Sequence, residues 1–251
     1  MNEPLVCAVM LTKDRPEMLR RAVQSFRAQT YPNKRLLIYD TGKEQDSIAE
    51  LYGNETHFRC FWNAHRGMLS IGALRNEASG HADDMPNDPE ILIHWDDDDW
   101  SHPNRISEQV AHLQASGADV VGYNELLFRR RVQVPNVEPD LFEYEVWLYR
   151  NRNARAETSF CYWRKTWERK PFPDGPKKGP TGEYSGGEGY QWCQGLKVET
   201  VSAMCDEPRL VASIHGANTM SYDIEGMIAR GSDNWKRVPA WDAYCVERMK
   251  L

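Results

Sequence analysis

Long apolar runs are missing from this chain: no stretch approaches the roughly 20 residues that a membrane-spanning helix needs. The opening MNEPLVCAVMLTKDR has neither a basic leader nor a cleavage site of small residues, so no signal peptide is expected and the protein is placed in the cytoplasm. Cysteine pairs are also missing. Six cysteines (Cys7, Cys60, Cys161, Cys193, Cys205, Cys245) are scattered with no CxxC, which argues for reduced thiols over a disulfide frame or a zinc site. No repeat is visible. No glycine-rich basic loop follows the first apolar run, which counts against an enzyme that grips a nucleoside triphosphate.

What is present is enough for one domain over residues 1–251. The chain is 41% hydrophobic with a mean hydropathy of -0.69, a core inside a very polar surface. Its net charge of -6 is uneven: between residues 127 and 180, twelve Lys and Arg face seven Asp and Glu, a surplus of five, so the remainder carries -11. A basic stretch in an acidic protein suggests an anionic ligand, against the plainer reading of a solvated face. The same stretch is rich in aromatics (Trp147, Tyr149, Tyr162, Trp163, Trp167), side chains that stack on sugars or bases.

The first half alternates strands and helices. Residues 5–11 (LVCAVML) read as a buried strand. Asp14 before Pro16 reads as an N-cap, opening a helix on Met18, Leu19, Ala22, Val23 and Phe26 that ends before Tyr31-Pro32. Strands follow at 35–39, 57–62, 90–95 and 118–123, with helices at 70–80 and 103–116 between them. This alternation predicts a mostly parallel sheet with helices on both faces, and ligands on such sheets bind beyond the carboxyl ends of the strands. Thr12-Lys13-Asp14, Asp40 and Asp96 to Asp99 all fall there. The second half is less regular: strands at 125–134, 142–150, 158–163 and 198–201, a last strand at 209–214, a Gly/Pro-rich loop or lid over 170–189, and a helix in the tail from 221.

The sharpest question is ILIHWDDDDW at 91–100. Four adjacent carboxylates after a strand repel one another and pay desolvation if covered. Either they form a solvated acidic loop, or a hard cation such as Mg²⁺ or Mn²⁺ holds Asp96-x-Asp98 together.

Taken in order, VMLTKDRPEMLRRAVQSFRAQTYP, LLIYDTG, GALRNEASG and ILIHWDDDDW with Pro103 behind it resemble the family-two glycosyltransferases of the GT-A fold. The likeness covers about residues 4–125 and, more weakly, extends to about 220. It implies a Rossmann-like α/β domain in which 1–125 binds a nucleotide sugar, UDP-sugar favoured, and an elaborated C-terminal half, 126–251, binds the acceptor. Thr12 and Asp14 match the loop against the nucleotide. Asp40 matches the aspartate that meets the base, although an Asx-turn with Gly42 would equally explain it. Arg75 and Asn76 match the helix signature, where Arg75 can meet the diphosphate or brace the aspartates; the plain alternative is a surface residue. Asp98 and Asp96 match the metal and ribose pair, Asp97 the middle position, and Asp99 an orienting place.

Farther on, GGEGYQW at 186–192 stands where the family carries a Glu-Asp pair with the catalytic base. Gly189 replaces the second acid, so Glu188 is the base candidate and Glu183 the reserve. His215, in IHGANTM, matches the histidine that completes the metal shell in some enzymes of this fold. These residues imply metal-dependent hexosyl transfer with inversion, using Mn²⁺ or Mg²⁺, to an acceptor hydroxyl on an anionic molecule: a nucleic acid such as hydroxymethylated DNA, or an acidic glycan. A nucleotidyltransferase acting on a sugar phosphate and a non-catalytic metal- or carbohydrate-binding module are the rival readings.

Overall fold

A computed structural model describes residues 3–43, 57–63, 69–84, 87–133, 142–151, 154–175, 187–215 and 223–248. Within these, two sheets form. The larger has seven strands: β1 (Val6–Thr12), β2 (Lys34–Asp40), β3 (Phe58–Trp62), β4 (Ile91–His94), β6 (Val120–Tyr123), β9 (Cys161–Trp163) and β10 (Val198–Val201), in the order β10-β6-β9-β4-β1-β2-β3. All are parallel except β9, which runs antiparallel between β4 and β6. The smaller sheet, in the order β12-β8-β7-β11-β5, takes β5 (Trp100–Ser101), β7 (Glu125–Gln133), β8 (Phe142–Arg150), β11 (Leu210–Ile214) and β12 (Trp235–Arg237).

The two-residue period of the strands sorts the core. Val6, Ala8 and Met10 of β1 join Leu36 and Ile38 of β2 beneath α1 (Pro16–Arg27) and α3 (Arg105–Ser116). Cys7 and Val9 join Leu37 and Tyr39 on the opposite face, beneath α2 (Ile71–Gly80). β1 buries both faces, which is why residues 5–11 are apolar without alternation. Helices therefore cover both faces of a mostly parallel sheet, as expected. The two halves of the chain interlock: β9 and β10 complete the first sheet, while β5 from the acidic loop pairs with β11 in the second.

Four local expectations are corrected. Asp14 does not cap α1: that position belongs to Arg15, without a side-chain cap, while Asp14 takes φ 52° and its Oδ1 accepts the Lys43 N–H at 2.8 Å. The strand read at 158–163 keeps only Cys161–Trp163, because Glu157–Ser159 is a 3-10 turn. There Arg105 claims the Thr158 carbonyl at 2.8 Å and the Ser159 hydroxyl accepts the Tyr123 N–H. The loop over 170–189 ends sooner, since Glu188 and Gly189 open α5 (Glu188–Cys193), which follows the short α4 (Arg164–Arg169). The tail is not one helix. Gly231 at φ +87° follows α6 (Ile224–Ala229), then come β12, a 3-10 turn at Pro239–Trp241, and α7 (Asp242–Arg248). Thus 209–214 is not the last strand.

Candidate active site

The acidic run solves its own repulsion by alternating. Asp97 and Asp99 turn inward, 1% and 9% exposed, while Asp96 and Asp98 stay half-buried. Asp97 is anchored at the end of β1: the Thr12 hydroxyl donates to its Oδ2 at 2.6 Å and Arg15 Nη2 lies 2.8 Å from its Oδ1. Burial raises its pKa to about 7, against the pull of Arg15. Asp99 accepts from the Thr158 hydroxyl at 2.7 Å and the Ser213 N–H at 3.1 Å. Burial, then Asp98 and Asp96, hold its carboxyl well above the ordinary range. Thus two of the four aspartates tie the loop to β1, to the 157–159 turn and to β11, while the other two stay less buried. Arg105, buried beneath the loop, donates to the carbonyls of His94 and Thr158 and stacks 5.0 Å from the ring centroid of Trp95.

Asp96, Asp98 and Asp99 each offer a carboxylate oxygen, all within 4.8 Å of one another. Three crowded hard donors fit a divalent cation of the Mg²⁺ or Mn²⁺ class. His215, at the end of β11, brings Nε2 to 2.9 Å from Asp98 Oδ2, and Arg15 Nη1 lies 3.2 Å from the same oxygen. His215 therefore joins the acidic centre from 117 residues away in sequence.

At the end of β2, Asp40 accepts the Gly42 N–H on Oδ1 at 2.8 Å, so the Asx-turn is present. Its carboxyl is 3% exposed, and burial raises its pKa. A Cβ at Gly42 would lie 2.9 Å from Asp14 Oδ1 and 3.0 Å from Asp40 Oδ1, so only glycine lets these two carboxylates close around the turn. Trp62 donates from Nε1 to the Gly42 carbonyl and is 41% exposed beside it.

Arg75 is not a surface residue. It is 6% exposed, with Nη2 3.6 Å from Asp96 Oδ1 and Nε 3.8 Å from Glu157 Oε1. Burial works against its charge, but Asp96, Glu157 and Glu188 outweigh it and raise its pKa. Asn76 instead braces the scaffold. Its Nδ2 donates to the Phe172 carbonyl, and its Oδ1 accepts from Trp167 Nε1 and the Phe172 N–H. Glu188 lies in the first turn of α5 beside Glu157, and Glu183 lies outside the described residues.

The basic segment behaves differently from its sequence reading. Arg130 pairs with Glu145 and Glu225, Arg150 with Glu125, Arg164 with Asp83 and Glu168, and Arg169 with Asp119. Most of these acids come from other parts of the chain. The aromatics expected to face an acceptor serve packing. Tyr162 is fully buried, Tyr149 packs 4.7 Å from Trp235, Trp163 donates to the Ala118 carbonyl, and Trp147 lies under Arg130 with its Nε1 on Glu145.

Sequence reasoning missed Arg15, Trp62, Arg105 and Glu157. Arg15 was within reach, being next to Asp14. Glu157 carries no local signal, because its neighbours in space come from α2 and α5.

An acidic cluster beyond the carboxyl ends of a mostly parallel sheet, backed by a buried arginine, lies where α/β proteins of this kind bind ligands. The sequence matches Glycosyl transferase family 2 over residues 7–167, and the chain belongs to that family. Among solved structures it is similar to S. aureus TarS 1-349 in complex with UDP-GlcNAc, with 15% identity, a TM-score of 0.60, and coverage of 87% of this chain and 61% of that one. It is also similar to the mannosyltransferase PcManGT from Pyrobaculum calidifontis in complex with GDP-Man and Mn²⁺, with 13% identity, a TM-score of 0.59, and coverage of 97% and 68%. The chain spans about 60% of the TarS 1-349 structure it also matches in another form. These likenesses establish the GT-A type of fold. No match was found among curated protein sequences.

Proposed function

We propose that this glycosyltransferase moves a sugar from a nucleoside-diphosphate donor, UDP-sugar favoured, to an acceptor hydroxyl with inversion at the anomeric carbon. The observation that carries this reading is the convergence of Asp96, Asp98, Arg75 and His215 at the strand ends, beside the Thr12 and Asp40 loops. In this reading Asp40 and Asp14 hold the base end of the nucleotide. Asp98, Asp96 and His215 would hold the cation, Mn²⁺ or Mg²⁺, which when bound would offset the negative charge of the diphosphate. Arg75 adds a fixed positive charge next to Asp96 and faces the charge that develops on the leaving group. Glu188 takes the acceptor proton, and holding both substrates in line supplies much of the remaining rate.

Residues 1–125 are assigned to the donor and 126–251 to the acceptor within a single domain. The local ion pairs of the basic segment weaken the charge argument for an anionic acceptor, so a hydroxyl-bearing nucleic acid or acidic glycan is one arm of the acceptor screen beside neutral sugars. Family membership favours the transferase over a nucleotidyltransferase or a binding module. Among the described residues no helix is long and apolar enough to cross a membrane.

The test is nucleotide release from UDP-GlcNAc and GDP-mannose, the donors bound by the two similar structures, with Mn²⁺ and no acceptor. Slow hydrolysis that is lost in Asp98→Ala supports the reading. The absence of both turnover and binding of UDP or GDP would overturn it.

A further inference from the structure

Gly189 stands where the Glu-Asp pair would carry its second acid, and the structure gives a physical reason why no side chain is there. A Cβ at this position would lie 2.5 Å from Glu157 Cδ and 2.7 Å from both Cγ and Oε2. These are its three nearest atoms, so the space is filled by a carboxyl group arriving from the 157–159 turn. Gly189 and Glu188 are the neighbours from α5 that act on that carboxyl. On its other side Glu157 Oε1 faces Arg75. That oxygen, with Arg75 Nε and Nη1, has no hydrogen-bond partner among the described residues.

We propose that Glu157 is the second carboxyl of the proton-accepting group: it takes the space left by Gly189 and positions Glu188 through a carboxyl–carboxyl hydrogen bond. The acid pair is thus assembled from two segments 31 residues apart in number rather than from adjacent residues. The proposal deepens the transferase reading and rests on it for Glu188 as base.

The surroundings of Glu157 favour one proton on the pair. Burial raises the pKa of Glu157 to about 8, Arg75 opposes the rise, and Glu188 adds to it. Glu157 also acts on Cys193 of α5, and so do Lys170 and Arg155. His94 donates from Nδ1 to the Glu157 carbonyl, and burial followed by Arg75 keeps that ring neutral. At neutral pH the raised Glu157 carboxyl therefore keeps a proton that it can share with the Glu188 carboxyl, which fixes the orientation of Glu188. In the transfer step the acceptor O–H proton passes to Glu188 as its oxygen bonds to the anomeric carbon. The carbon–oxygen bond to the diphosphate breaks, and its electron pair leaves with the nucleotide. Glu157 keeps its proton throughout. Above its own pKa the two carboxylates repel and the hydrogen bond is lost.

The test measures nucleotide release from the UDP- or GDP-sugar with Mn²⁺ between pH 6 and 9, in wild type, Glu188→Gln, Glu157→Gln, Glu157→Ala and Glu157→Ala/Gly189→Asp. Glu188→Gln is expected to lose about 100-fold or more, as for a general base. Glu157→Gln, which keeps a donor but cannot ionise, should slow release by about three- to tenfold at pH 7 and abolish the alkaline fall of the wild type. Glu157→Ala should lose about 10- to 100-fold, and Gly189→Asp added to it should recover several-fold of that loss. A Glu157→Gln profile superimposable on the wild type, or a loss as deep as that of Glu188→Gln, would overturn the proposal. If the double variant does not fold, the Glu157→Gln profile decides. A wild type that releases no nucleotide sinks the transferase reading instead. Carbon-13 carboxyl titration then still reads the pair: the Glu157 resonance must shift its titration in Glu188→Gln, and an unchanged curve rejects the pairing.

Discussion

The strand ends of the first half and the basic, aromatic stretch from 127 to 180 both suggest ligand contacts in the sequence, and the fold uses them in opposite ways. At the ends of β1, β2 and β4 the polar residues crowd around a common centre. Some of them, Asp96 and Asp98, remain half-buried, and Asp99, Asp98 and Asp96 leave oxygen donors close together. In the later stretch Arg130, Arg150, Arg164 and Arg169 are answered by acids, and the aromatics are buried or half-buried in packing. The difference teaches that a run of charge marks a site when like-charged members converge closely enough to offer several oxygens to one point, even with Arg15, Arg75 and His215 beside them. Local surplus alone can be a scaffold awaiting distant counter-charges. The site also depends on that scaffold, because Thr158, Ser213 and Glu157 all come from the later half.

The comparison breaks first at Asp98. Asp98→Ala should reduce donor turnover by about two orders of magnitude or more, measured as nucleotide release, with melting temperature little changed. A variant with wild-type turnover would move the centre elsewhere. Next comes Arg105, the buried tie between the two regions. Arg105→Ala leaves the His94 and Thr158 carbonyls and the Ser101 hydroxyl without their donor and should cost about 3 kcal/mol in denaturant unfolding. Gly72→Ala sharpens the packing side: its Cβ would fall 2.1 Å from the Pro173 carbonyl oxygen, so α2 and the 172–174 segment must separate, at about 1–3 kcal/mol.

A pH series follows. Glu157 titrates at about 8 in the folded chain, against an ordinary glutamate value of 4.5, so the folded state holds a proton the unfolded state has released. Its contribution to stability is whole below the ordinary value and declines as pH rises from there through about 8. Glu157→Gln should flatten that part of the melting-temperature profile. The smallest effect is expected at Arg130→Gln in the basic stretch. Its pairs with Glu145 and Glu225 lie toward the surface and should be worth under about 1 kcal/mol, with donor turnover unaffected.

The reading of the first half succeeded where information is local. Apolar runs of strand length, the Ser70 cap and the Gly117 turn at φ 59° are decided by neighbours in sequence, and α2 and α3 lie close to where the pattern puts them. It failed where a backbone or side-chain group answers to something far away. Asp14 was drawn off the helix start by Lys43, the 158–160 segment was held out of the strand by Arg105 and Tyr123, and Trp167 was pulled inward by Asn76. The tail was misread for a nearer reason, the helix stops at Gly231 and Pro239.

What the sequence by itself determined is the alternating α/β order, the acidic run after a buried strand, and the family to which those motifs point, because each rests on periodicity or spacing along one short segment. Only the tertiary structure decided which aspartates face inward, that His215 meets Asp98, and that Glu157 fills the gap at Gly189. Those are contacts between segments tens to more than a hundred residues apart. They exist because the packed strands and helices bring their ends to one place, and no local pattern encodes which distant side chain will arrive there.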